Sequence, residues 1–403
     1  MAPSALEDLT PKTPTASAVR SRLFKSTPSL SEFQALCSQT TDAQDYPLAS
    51  SIESNIPIYD GAEIDVDSNP DLGAALQDEW NHVLHAGPGV LVIKRMYRDM
   101  GLLQTVNDVF QQIIDEEKAS AKGDHFAAGG KNDRIWNAFE KHGVRDPASF
   151  VDYYRNPLLA LVCEAWLGPA YRITAQVNVV KPGGAAQIAH RDYHLGFQTA
   201  EASARFPIQM QVASQLLTLQ GAVAHTDMPV ASGPTKLLPF SQRFAAGFAA
   251  YRRDDFRAFF EARCVQLPLA RGDSLWFSPA LFHAAGANST PDFPRAANLL
   301  QVSSAFGKPM ETVDTARLAA RCWPALRALF EREGHLSREV RAAVQAVAEG
   351  YPFPTNLDRR QPTISGMAPE SEQDVCLRAL QEGWTDEKVT ATLRQMKLDA
   401  ASC

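Results

Sequence analysis

The stretch YRITAQVNVVKPGG, residues 171–184, alternates cleanly. Ile173, Ala175, Val177 and Val179 fall on one side, Thr174, Gln176 and Asn178 on the other, and Pro182-Gly183-Gly184 then breaks the pattern. Successive side chains on a pleated strand point to opposite faces, so the run predicts a strand with one apolar and one polar face. Gln176 and Asn178 share the polar face and could be structural or functional. Period-two runs recur at 209–224, 264–269, 273–278 and 295–303, separated by Gly, Pro and Asp turns. Several short strands in succession predict a sandwich or barrel.

Working outward from these strands, the spacing changes. AALQDEWNHVLHA (74–86) and the run 98–121 carry apolar residues at helical intervals, with VLVIKRMY between them as a buried strand. Helical material is predicted over 148–167 and again from 311 onward, as in TARLAARCWPALRALFERE, where it would cover a sheet face or edge. GGKNDRIWN (129–137) lacks a phosphate-cradling pattern and reads as a loop, either on the surface or bordering a pocket. Residues 1–52 are rich in Ser, Thr and Pro, with one short amphipathic piece, SLSEFQALCSQ, and read as a flexible tail. The expectation is a single catalytic domain over 53–403, an α+β unit with a barrel core at about 170–305 and helical flanks on both sides.

The chain has 403 residues and a net charge of −7 from 39 basic and 46 acidic side chains. That balance argues against nucleic acid or an anionic membrane as partner, since both favour a basic footprint. No run approaches the ~20 apolar residues of a membrane span. Six cysteines, at 37, 163, 264, 322, 376 and 403, show no metal-ligand spacing. With no secretory pattern at the start, they point to a reducing, cytoplasmic setting.

The chemistry starts at QIAHRDYHLGF, residues 187–197, where His190, Asp192 and His194 occupy every second position. On a strand all three would share a face. A His-x-Asp pair alone is a weak signal, and a further ligand must come from elsewhere. His225 and His283 are the non-local candidates. His283 has the better setting, because it follows an aromatic strand and enters the small-residue segment HAAGAN. Arg295 follows twelve residues later. Two imidazoles and a carboxylate make the facial set of non-haem Fe(II) oxygenases, leaving positions for a chelating 2-oxo acid and O2. A guanidinium fork suits the far carboxylate of such an acid. His194 is then the spare, expected beside the metal rather than on it, and His225 reads as a satisfied core histidine.

HRD at 190–192, His283 with Arg295, and ASGPTKLLPFSQR at 231–243 together resemble the phytanoyl-CoA dioxygenase family of Fe(II)/2-oxoglutarate-dependent oxygenases. The resemblance spans about 170–305 and departs from the commoner pattern at Gln242, where a His is more usual. It implies a double-stranded β-helix (jelly-roll, cupin-like) core, with His190, Asp192 and His283 as iron ligands. Arg295 would pair with the 2-oxoglutarate 5-carboxylate, and Thr235 and Gln187 would hydrogen-bond the cosubstrate. Related halogenases lack the carboxylate, so Asp192 implies oxygenation. No basic cluster suited to a CoA diphosphate is apparent. The expected function is therefore oxidation of an unactivated C–H bond in a small natural-product or amino-acid-like substrate, by hydroxylation, desaturation or ring closure. The alternatives are an acyl-CoA hydroxylase of the same family, a cupin-type metal enzyme without 2-oxoglutarate, and a non-catalytic binding barrel.

Overall fold

A computed structural model describes residues 22–23, 27–119, 131–364 and 366–401. Ten strands occur among them: β1 (Ser51–Glu53), β2 (Ile56–Asp60), β3 (Val90–Lys94), β4 (Asn132–Ile135), β5 (Arg172–Val180), β6 (Thr218–Ala224), β7 (Lys236–Leu238), β8 (Ser274–Phe277), β9 (Phe282–Ala284) and β10 (Arg295–Ser303). Eight form one sheet in the order β1-β2-β3-β8-β6-β10-β5-β4, in which only β2 and β3 run parallel. β7 and β9 form a separate antiparallel pair. The architecture is mixed α+β around a large, mostly antiparallel sheet.

Strand alternation gives the sheet two different faces. Ile93, Ile173, Val177, Leu219, Val223 and Val302 join one core with helix residues such as Trp80, Phe110, Phe150 and Leu161. Ile58, Val92, Ala222, Leu275 and Phe277 point the other way, into a smaller cluster that includes Leu237 of β7. β10 is central: its register sets Ala297 opposite both Asn178 and Ala224, and Gln301 opposite both Thr174 and Gln220.

Local chemistry places the helices. Asn69 caps Pro70–His85, which has Pro at its first turn, and Asp146 and Asn156 do the same for Pro147–Tyr154 and Pro157–Leu167. The C-terminal helices Thr315–Glu333 and Arg338–Val347 pack on each other and on Pro147–Tyr154; Thr315–Glu333 also packs on Asp386–Ala400, and Arg338–Val347 on Pro157–Leu167 and β5.

Four expectations change. Residues 30–52, assigned to a flexible tail, include the helix Leu30–Cys37. Its Phe33 is fully buried among Phe244, Phe256 and Phe282. Enough aromatic area is buried there to offset the ordering entropy that composition alone seemed unable to cover. The run 209–224 is strand only from Thr218, because Ile208–Leu216 is a helix. Its Gln-Met-Gln-Val alternation is too short to separate the two periods. Residues 264–269 make isolated bridges from Val265 and Leu269 instead of a continuous strand. Finally, Asn132–Ile135, placed in a Gly-rich loop, is the edge strand β4 paired to β5; the Gly-rich part up to 130 lies outside the described residues.

Candidate active site

His190 and His283 are 93 positions apart in the chain and directly opposite in space. The His190 N–H donates to the His283 carbonyl at 3.0 Å and the His283 N–H returns the bond at 3.1 Å. Residues paired this way carry their side chains on the same face, and the two rings lie 4.5 Å apart. β7 holds the other side of β9, with Leu237 opposite His283.

Each imidazole is locked by a backbone carbonyl two residues earlier. Nδ1 of His190 meets the Ile188 oxygen and Nδ1 of His283 meets the Leu281 oxygen, both at 2.8 Å. A carbonyl only accepts, so the proton sits on Nδ1 and each Nε2 keeps its lone pair. Both Nε2 atoms face Asp192, at 3.4 Å from Oδ1 for His190 and 3.2 Å from Oδ2 for His283. The three ligand atoms lie within 4.8 Å of one another. Burial, followed by the neighbouring His283, lowers the His190 pKa and keeps that ring neutral. Burial opposes charge on Asp192, but His283, His190 and Gln220 outweigh it and hold the carboxyl well below its usual range. Three ligand atoms thus converge on one point. A divalent cation satisfies that arrangement, and two imidazoles with one carboxylate fit iron.

The chain leaves extended geometry after Asp192. Asp192 N–H donates to the Pro279 carbonyl, and Tyr193 and His194 then take left-handed backbone angles of 59° and 41° in φ. Gly196 closes the turn, where a Cβ would sit 2.1 Å from the Arg191 carbonyl oxygen. The same-face reading of 190, 192 and 194 therefore fails at the third position. His194 is outside the ligand cluster and does not line the cavity. Among the described residues its Nε2 is buried without a partner.

The cluster opens on a cavity of about 760 Å³ between the sheet and the β7–β9 pair. Arg295, at the start of β10, lines it and is 6% exposed. Burial pulls its pKa down from the usual guanidinium value to about 10. No acidic side chain among the described residues pairs with it. Met228, Leu237, Leu267, Leu269 and Leu275 line the same cavity. Thr235 borders it after Gly233 (φ 75°), which touches Gly286 and Ala287 so closely that a side chain would clash. Gln187 borders it too, its Oε1 accepting the Ala285 N–H at 3.1 Å.

His225 is a core residue, as expected, with Nε2 3.0 Å from the Tyr153 hydroxyl and Nδ1 2.6 Å from Asn107 Oδ1. The Ser-Gln of ASGPTKLLPFSQR also proves architectural. Ser241 Oγ accepts the Phe282 N–H, and Gln242 Nε2 donates to the Gly87 carbonyl. Both fasten the loop after β7, Ser241 to β9 and Gln242 to the turn before β3. Gln176 and Asn178 do face the cavity. Sequence reading missed Gln220, whose Nε2 donates to Asp192 Oδ2, and the cavity residues Trp136 and Met310. Gln220 stands at a cavity-facing position of β6, and only the β6–β10 register reveals its place beside the site.

A partly buried imidazole–carboxylate–imidazole cluster sharing a cavity with a guanidinium that has no acidic partner among the described residues defines a metal-dependent oxygenase type of site. A phytanoyl-CoA dioxygenase model matches residues 87–297, and the chain belongs to that family of non-haem iron enzymes, which use Fe(II), 2-oxoglutarate and O2. No curated protein matches the chain in sequence. Among solved structures, the non-heme alpha ketoglutarate-dependent carbocyclase SnoK from nogalamycin biosynthesis is 19% identical, covering 61% of this chain and 91% of its own, with a TM-score of 0.43. The epimerase SnoN from the same biosynthesis is 18% identical, covering 58% and 84%, with a TM-score of 0.38. No helix among the described residues is long and apolar enough to cross a membrane.

Proposed function

We propose that His190 Nε2, His283 Nε2 and the Asp192 carboxylate hold Fe(II), and that Arg295 seats the 5-carboxylate of 2-oxoglutarate. The reading adds that the large sheet and the β7–β9 pair together make a double-stranded β-helix within a single catalytic domain, which takes in Leu30–Cys37 as well as the expected 53–403. The observation that carries it is the pair of Nδ1-anchored imidazoles aiming bare Nε2 lone pairs at one carboxylate. The bound iron, with 2-oxoglutarate and O2, supplies an oxidant for an unactivated C–H bond while the cosubstrate becomes succinate and CO2.

The chain's own residues do the positioning. The carbonyls of Ile188 and Leu281 fix both ring orientations, and Gln220 orients Asp192. Arg295 draws the dicarboxylate into an apolar pocket where its fork is not spent on water. Thr235 and the Nε2 end of Gln187 add hydrogen bonds to the cosubstrate. Leu237, Leu267 and Leu275 exclude water from the reacting centre. The substrate is a small natural-product or amino-acid-like molecule, and the outcome is hydroxylation, desaturation or oxidative ring closure.

The test is anaerobic addition of Fe(II) and 2-oxoglutarate, with the weak visible metal-to-ligand band as readout. The band should appear in the wild type and be absent in His283→Ala. A wild type that binds iron yet shows no band with 2-oxoglutarate refutes the assignment.

A further inference from the structure

The amide that orients Asp192 has a second end, which the proposed chemistry does not use. Gln220 on β6 lines the cavity and is 8% exposed. Its Nε2 donates to the Asp192 carboxylate, which only accepts, so the amide cannot be turned round. Gln220 Oε1 is thereby fixed as a buried acceptor, and it has no hydrogen-bond partner among the described residues. The Tyr193 hydroxyl is buried without a partner too, so it does not fill that role.

The neighbouring strand supplies the matching donor. Gln301 on β10 stands opposite Gln220, lines the same cavity and is equally buried. Side chains paired this way leave the sheet about 5 Å apart. The orientation of Gln301 is set from its other side. Arg134 Nη1 donates to Gln176 Oε1 at 3.4 Å, and Gln176 Nε2 donates to Gln301 Oε1 at 3.5 Å. An arginine only donates, so the row runs one way across β4, β5 and β10. Gln301 Nε2 is the end left over, and it meets no acceptor among the described residues.

An acceptor on one strand thus stands across from a donor on the next. A hydroxyl meets both at once: its proton goes to Gln220 Oε1 and its oxygen accepts from Gln301 Nε2. A carbonyl, an ether or a carboxylate only accepts and leaves Gln220 Oε1 unmet, which is costly for a buried group. The surroundings are apolar. Phe277 stands opposite Gln220 on the other side, with its ring 4.8 Å from that of His283, and Ala222, Leu275 and Leu299 continue the lining. Asn178 extends the polar notch along β5: it lines the cavity and its side chain makes no hydrogen bond to the described residues.

We infer that Gln220 Oε1 and Gln301 Nε2 form a hydroxyl-recognising subsite beside Asp192, and that the substrate enters it through an alcohol carried on a largely apolar body. This deepens the natural-product reading above and rests on it. The test compares cyclohexanol and 4-tert-butylcyclohexanol with the size-matched ketones, cyclohexanone and 4-tert-butylcyclohexanone. Binding to the anaerobic enzyme with Fe(II) and saturating 2-oxoglutarate is read by saturation-transfer NMR, with the visible band followed in parallel. The alcohols should bind at least about fivefold more tightly than the ketones and shift the band. Gln301→Met should remove this preference, and the wild-type comparison stands even if that variant does not fold. The inference is overturned if alcohols and ketones bind alike, as they would if a resident water met both amides. It is overturned too if neither binds, or if Gln301→Met keeps the preference. Loss of 2-oxoglutarate binding in Gln301→Met would overturn it differently, by assigning this amide to the cosubstrate. A wild type without the band sinks the iron and 2-oxoglutarate reading, whereas the NMR preference is read without it, so the two failures are told apart.

Discussion

Arg191 and Arg295 are both buried arginines, and they differ in what meets their charge. The Arg191 guanidinium donates to the carbonyls of Ser241 and Phe244 at 2.7 and 3.0 Å and lies 5.3 Å from the ring centroids of both Phe248 and Phe282. Arg295 has no such company and opens on the cavity. The two faces of the sheet repeat this contrast. Behind it, His225, Tyr153 and Asn107 satisfy one another in a closed core. In front, His190, Asp192, Arg295 and Asn178 each keep an atom turned to open space. A buried polar group that the fold satisfies belongs to the architecture, whereas one left open is kept for a ligand.

That distinction can be broken by mutation. The largest effect belongs to Asp192→Ala, which removes the one carboxylate between two imidazoles. Turnover should fall at least about 1,000-fold, or ~4 kcal/mol, with iron lost in equilibrium dialysis. Arg191→Met is next, and its effect should be on folding. It strips donors from buried carbonyls, costing about 3 kcal/mol of unfolding free energy, read as a lower denaturant midpoint at unchanged slope. Arg295→Gln should do the reverse: stability is kept, while 2-oxoglutarate affinity drops about 100-fold, or ~2.7 kcal/mol. If Arg295→Gln unfolds the protein and leaves 2-oxoglutarate binding intact, the contrast between the two arginines is wrong. Gln220→Ala is smaller. Loss of the amide that orients Asp192 should weaken iron binding about 10-fold, measurable by chelator competition without turnover.

The sequence showed the strands that alternate cleanly, such as Arg172–Val180 and Arg295–Ser303, because period-two patterning reports burial directly. It showed His190, Asp192, His283 and Arg295 because their residue types and order are chemically unusual. It did not show the position of β4, since Asn132–Ile135 is a polar edge strand whose neighbours set its role. Nor did it show Gln220, whose importance comes from lying opposite Gln301 across β10. His194 is off the ligand cluster, as expected of the spare, for a local reason: two left-handed residues end the strand geometry after Asp192. Phe33 reads as tail because its amphipathic piece is short and set in a Ser-rich segment, although its ring fills a cluster of phenylalanines.

The mildest test lies on the closed face, where a satisfied histidine should still report through pH. Burial lowers the pKa of both His142 and His225 from 6.5 to about 3. Near pH 5 the unfolded chain therefore holds protons on these residues that the folded chain does not. Stability should then rise with pH across roughly 3 to 6.5, and be lost as the solution is acidified through that window. Each ring contributes at most about 1.4 kcal/mol per pH unit there. His225→Asn should lower the stability at pH 7, because the Tyr153 and Asn107 contacts go. It should also flatten the slope of unfolding free energy between pH 6 and 5 by about 1 kcal/mol. A slope unchanged from wild type would mean that His225 binds a proton in the folded protein, and the face behind the sheet would then be as open as the face in front.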